Sequence, residues 1–154
     1  MRTTAAALIV LAALIVGAPA AGAHALKVRT VEATIAELRG ERGCGPLHVD
    51  DGLARAAGRQ ARLLLTVGQL DHDAGAPFAS RLEQAAPAAH MWGENLAYGS
   101  GEGAQPAAIV AGWMNSPAHR AIMLDCRFSE VGIGIASGRF RGLDGSVYVA
   151  DFAA

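Results

Sequence analysis

The run Glu130-Val-Gly-Ile-Gly-Ile-Ala136 decides the fold class, because the hydrophobic period changes there from helical to strand spacing. Val131, Ile133 and Ile135 fall on one face and Gly132, Gly134 and Ala136 on the other, the period of two of a β-strand. A strand face built of glycine and alanine lets another backbone approach closely. That face takes either a tightly packed helix, the ordinary outcome, or a ligand. Ser146 to Phe152 alternates in the same way after an Asp144-Gly145 turn signal, so the two segments read as an antiparallel hairpin.

Everything upstream of this hairpin has helical spacing. Val28, Val31, Ile35 and Leu38 mark an amphipathic helix over Lys27 to about Arg39, closed by Gly40. Gly43 to Pro46 is a turn. Asp50 or Asp51 caps a second helix, with Leu53, Ala57, Leu64 and Val67 inward and Gly68 as its stop. Leu70 to Gly75 is a polar loop. Pro77 opens a short third helix that turns Phe78 and Leu82 inward and ends near Pro87. Ser100 to Gly103 is a glycine-rich loop, Pro106 starts a fourth helix running to about Asn115, and Ser116 to Leu124 is a fifth. Helices followed by a small sheet give an α+β domain.

Two stretches carry chemistry. Met91-Trp-Gly-Glu-Asn-Leu96 sets one carboxylate, Glu94, beside an aromatic and an amide. Ser116-Pro-Ala-His-Arg120 sets His119 at the third position of a helix, with Ser116 as N-cap and Pro117 at the first helical position. The positive potential of a helix start favours neutral imidazole, the form that acts as a base or binds metal. His72, in Leu70-Asp-His-Asp73, is the second imidazole. His24, His48 and His90 read as solvated, and Trp92 and Trp113 as packing. Asn95 is expected to bond backbone that positions Glu94, and Arg120 to anchor the short helix.

Residues 1–23 read as a signal peptide: Arg2 is the positive start, Ala5 to Val16 the apolar core, and Ala21-Gly-Ala23 the cleavage pattern, with Ala25 as an alternative site. Residues 24–154 are then one exported domain with no membrane span after cleavage. The chain carries 13 basic and 14 acidic residues, net −1, and no basic stripe or motif for nucleic acid. Two cysteines in an exported protein, Cys44 and Cys126, favour one disulfide over two buried thiols.

Taken together these motifs resemble the CAP (SCP-domain) superfamily of cysteine-rich secretory, venom-antigen and pathogenesis-related proteins, and its short exported bacterial members in particular. The resemblance rests on Gly43 to Leu53, Leu70 to Asp73, Phe78 with Arg81 and Leu82, Gly93 to Ala97, Trp113 to Arg120 and Glu130 to Ile135. It implies a three-layer α–β–α sandwich with a small antiparallel sheet and a central cleft. Many members line that cleft with two histidines and two acids. His72, Glu94 and His119 match three of these, and Ser116 stands where the second acid belongs. Asn95 and Ser116 complete the expected cleft, and His72 with His119 are the expected ligands of a divalent metal such as Zn²⁺.

Three functions are compatible with these residues. The first is an exported binding or interaction module whose cleft holds a small apolar or peptidic ligand, a divalent metal, or both. The second is an extracellular hydrolase of peptide or cell-wall material, with Glu94 as general base aided by the two histidines. The third is a secreted effector that meets an extracellular protein through its surface, with no active cleft. The incomplete acid set and the absence of an activated nucleophile favour the first.

Overall fold

The glycine face of the Glu130 strand receives a helix. The computed structural model describes residues 20–154, in which that strand runs over Glu130–Phe140 (β3) and turns into Leu143–Ala153 (β4). The turn falls at Arg141-Gly142, both at positive φ, and not at Asp144-Gly145, which lies inside β4. Two successive positive-φ residues match the right-handed twist of a two-residue hairpin, which outweighs the Asp-Gly signal. Two further strands complete the sheet: Trp92–Ser100 (β2), antiparallel to β4, and the two-residue His48–Val49 (β1), parallel to β3. The strand order is β1-β3-β4-β2, so the sheet is wider than the expected hairpin and carries one parallel pair.

Helices cover both faces, giving the three layers. On one side lie Asp51–Val67 (α2) and Phe78–Ala85 (α3); on the other lie Ala20–Glu41 (α1), Pro106–Asn115 (α4) and Pro117–Met123 (α5). Alternation sorts the strand residues between them. Val131, Ile133, Ile135, Tyr148, Ala150 and Phe152 pack with Val31, Ile35, Ile109 and Trp113 of α1 and α4. Leu96, Ala136, Val147 and Val149 pack with Ala57, Ala61 and Leu64 of α2. Asp50 caps α2 by accepting from the Leu53 N–H at 2.7 Å, and Gly68 ends it in the left-handed conformation. Val67, expected inward, is exposed in the last turn of the helix. The first helix already includes Ala20 to Leu26, ahead of the expected Lys27, in an alanine-rich stretch that favours helix. The expected signal segment lies largely outside the described residues.

A Cβ on Gly132 would fall inside the Leu53–Ala54 backbone, and one on Gly134 inside the Ala57–Gly58 backbone. The glycine face is therefore the seat of α2 and not a ligand slot. Gly134→Val is expected to cost about 3 kcal/mol, the upper part of the range for overpacking, because backbone cannot move aside as a side chain does. The urea midpoint measures it, and an unchanged midpoint would mean that α2 does not sit where described.

Two residues that the sequence pattern did not single out fix the helical layers. Arg39 is buried at the end of α1 and donates to the carbonyls of Met123, Asp125 and Phe128 at 3.1, 2.8 and 2.7 Å. Tyr148, buried in β4, donates its hydroxyl proton to Ala104 O at 2.7 Å, and burial pushes that hydroxyl's pKa up. The Cys44–Cys126 disulfide is formed, tying the turn after α1 to the loop before β3.

Candidate functional site

Strand β2 is a sheet edge, and its first residues lie between the two helical layers. Glu94, Leu96 and Tyr98 point toward α2 and α3, while Asn95 and Ala97 point toward α4 and α5. The polypeptide thereby delivers Glu94 to one layer and Asn95 to the other. The cleft straddles this edge as a cavity of about 420 Å³, with His72, Phe78, Trp92, Glu94, His119 and Ile122 among its walls.

Three of the expected residues meet there. The Glu94 side chain is wholly buried, and each oxygen has a partner: Oε1 is 2.7 Å from His72 Nδ1, and Oε2 accepts from Arg81 at 2.7 Å. The half-exposed His72 ring also stands edge-on to Phe78, with centroids 6.2 Å apart. His119 lines the same cavity from α5, across the edge of β2. Asn95, fully buried, donates to His119 O at 3.0 Å, so it holds the helix of His119 and not Glu94. Ser116 sits at the N-cap of α5, yet its hydroxyl makes no capping bond, and it lines a neighbouring cavity that shares His119. Arg120 anchors the helix as expected, donating to Met114 O. His24, His48 and His90 are exposed.

A second acid is present, though not where the resemblance places it. Asp151 of β4 is directly opposite Glu94 of β2 in register and on the same face. It is completely buried, 3.5 Å from the guanidinium of Arg81, which thus spans both carboxyl groups. Burial first, and then the Glu94 charge, push the Asp151 carboxyl well above the usual carboxylate range. Neither of its oxygens has a hydrogen-bond partner among the described residues, and burial favours the neutral form of such a carboxyl group. No signal marked Asp151 in the sequence, because it interrupts an apolar strand without any motif around it.

The two imidazoles are driven in opposite directions. The hydrogen bond to Glu94 raises the His72 pKa above its usual value, more than burial lowers it. Burial, and then the charge of His72, lower that of His119. The direction for His119 is the expected one, but the cause is burial and its neighbour. Protonated His72 therefore stabilises the fold below about pH 6.5, and this is lost as pH rises through its raised folded value. His119 works the other way: its contribution is present above about pH 6.5 and lost as pH falls through its lowered value. His72→Asn should accordingly destabilise more at pH 5.5 than at pH 8.5, and His119→Asn less. Denaturation midpoints at both pH values test this, and parallel losses would contradict it.

These geometries do not fit a three-ligand zinc site. Both Glu94 oxygens and His72 Nδ1 are already committed to one another and to Arg81. Among the described residues no group of three or more His, Cys, Asp or Glu is placed to hold a metal. What the cleft offers is a pair of imidazoles, one favouring its charged and one its neutral form, beside an apolar wall.

Residues 33–152 match the model of the cysteine-rich secretory protein family. A Bacillus subtilis protein, YkwD, is 29% identical over 131 residues, covering 83% of this chain and 47% of its own; the chain thus spans about half the length of that relative. Among solved structures, an outer surface protein of Borrelia burgdorferi superposes with a TM-score of 0.72 at 22% identity, over 83% of this chain and 92% of its own. An extracellular SCP-domain protein of Bacillus anthracis gives 0.70 at 20% identity, over 84% and 41%. These likenesses carry the fold, and the family model covers most of the sequence. The chain belongs to the cysteine-rich secretory protein, or CAP, family.

Proposed function

We propose that the protein is an exported binding module whose cleft takes a small apolar or peptidic ligand. The apolar body lies against Phe78, Trp92 and Ile122, and the polar end meets His72 and His119. One observation carries this reading: the cavity wall is largely apolar, and its polar groups with bonding capacity to spare are the two imidazoles and the Asp73 carboxylate beside them. The hydrolase reading is weaker, since a general base needs a free oxygen and both of Glu94 are taken. Export is supported by the leader-like start and by the solved relatives described as outer-surface or extracellular. No helix among the described residues is long and apolar enough to cross a membrane.

Native mass spectrometry of protein recovered from culture medium tests the proposal. A retained molecule is expected on the wild type and not on Ile122→Trp, which fills the cavity. An identical ligand-free mass for both, with no thermal shift from fatty acids or short peptides, would favour the surface-effector reading instead. Zinc is tested beside it by calorimetric titration at pH 5.5 and 7.5. Binding that needs both His72 and His119, and that weakens at the lower pH as protons compete, would add a metal to the module. Binding that survives loss of both would place any zinc elsewhere.

A further inference from the structure

The cleft occupies one edge of the sheet, and a second groove lies along the opposite edge. Strand β1 covers β3 only at Glu130 and Val131 before the chain turns into α2. Val131 O accepts from Asp50 N at 2.9 Å, so the outward backbone groups of β3 are those of Val131 and every second residue after it. The N–H and C=O groups of Ile133 and Ile135 therefore point away from β4, past the end of β1. The side chains of both are sunk in the core on the α1 side, each residue only 4% exposed. Both nevertheless line a cavity of about 400 Å³, so their backbone forms its floor.

The wall of this groove is basic. Ala54 and Gly58 of α2 leave room beside the strand, and Arg55, Arg59 and Arg62 stand along the same helix face, with His24 at the rim. The three arginines line the groove, and none forms an ion pair among the described residues. Three adjacent cations run against the net charge of −1 of the whole chain.

We propose that this groove docks an extended acidic segment of another protein. The segment adds as a strand to the free edge of β3 and sets alternate carboxylates against Arg55, Arg59 and Arg62. The spacing suits it: arginines three and four residues apart on a helix rise by about 4.5–6 Å, and alternate strand residues by about 6.5–7 Å. The row of unpaired backbone groups asks for a peptide, since a polyanion or a lipid headgroup satisfies the arginines and leaves the edge bare. Residues 1–19 contain no acid, so the leader does not supply the complement.

Fluorescence anisotropy with a labelled peptide of alternating glutamate and valine tests this. Saturable binding is expected, weakened at least about tenfold by combined Arg55→Gln, Arg59→Gln and Arg62→Gln, with an unchanged melting temperature. N-methylation of alternate peptide amides should weaken binding in one register and spare it in the other. Equal binding of a fully N-methylated peptide would reduce the groove to a charged surface and overturn strand addition. Binding to phosphatidylglycerol vesicles but not to the peptide would replace the protein partner by a membrane. No saturable binding of the peptide would also overturn the proposal.

Discussion

Replacing Arg81 with methionine is expected to destabilise the protein by about 3–5 kcal/mol, as happens when one partner is removed from a buried charge cluster. Glu94 and Asp151 have wholly buried side chains in adjacent strands, and Arg81 reaches both, at 2.7 and 3.5 Å. Without it, His72 is the remaining cation, and it touches only Glu94. Two carboxyl groups would then share a dry site with one half-exposed partner. The loss should shrink when Glu94→Gln and Asp151→Asn are added to the Arg81 variant, because neutral amides need no counter-charge. Urea denaturation of the wild type and both variants measures both losses. A loss below about 1 kcal/mol for the single variant would put Arg81 in the class of exposed ion pairs and refute the buried cluster.

That cluster also shows how much of the site was legible in the sequence. His72, Glu94 and His119 could be named because each sits in a short motif with recognisable neighbours, and the fold brings all three to one cavity. Arg81 stood out only as part of a motif, and its role depends on α3 lying over the start of β2. Asp151 was invisible: the resemblance places a second acid near Trp113, at Ser116, whereas register opposite Glu94 supplies one from β4. Register between distant strands is a tertiary property that no local spacing encodes. For the same reason zinc suits the residue types alone and fits poorly once the partners of Glu94 are known.

The helices and the β3–β4 hairpin could be read because their apolar residues repeat at periods of 3.6 and 2. Strand β2 could not. Trp92–Ser100 is buried along much of both faces, and it carries Glu94 and Asn95 where an apolar repeat would stand. These two buried polar residues removed the pattern that would have disclosed the strand. The strand β1 is only two residues long and pairs in parallel, His48 with Glu130, too short for any periodicity. Arg39 was hidden for a related reason: a charged residue at the end of an amphipathic helix reads as solvated, yet three carbonyls of a distant loop surround it.

Loss of the disulfide is expected to be comparably severe. Cys44 and Cys126 lie 82 residues apart, with Cα atoms 4.8 Å apart. In the chain-entropy model, closing a loop of that size restricts the unfolded chain by about 4 kcal/mol. Arg39 holds the same loop through Met123, Asp125 and Phe128, but it acts on the folded state only. It therefore keeps the local geometry without replacing the restriction on the unfolded chain. The Cys44→Ala, Cys126→Ala double variant should retain the native spectrum at low temperature while its midpoint falls by about 10–20 °C. Arg39→Met should behave differently, since it takes the guanidinium from three carbonyls, of which only Asp125 O keeps another donor, the Phe128 N–H, in a folded state that is still crosslinked. Combining the changes should give nearly additive losses if the crosslink acts on the unfolded chain, and a clear excess over additivity if both act by holding the same loop. Thermal scans of the wild type, the two variants and their combination decide between these cases. A double cysteine variant as stable as the oxidised wild type would remove the crosslink from the account of stability altogether.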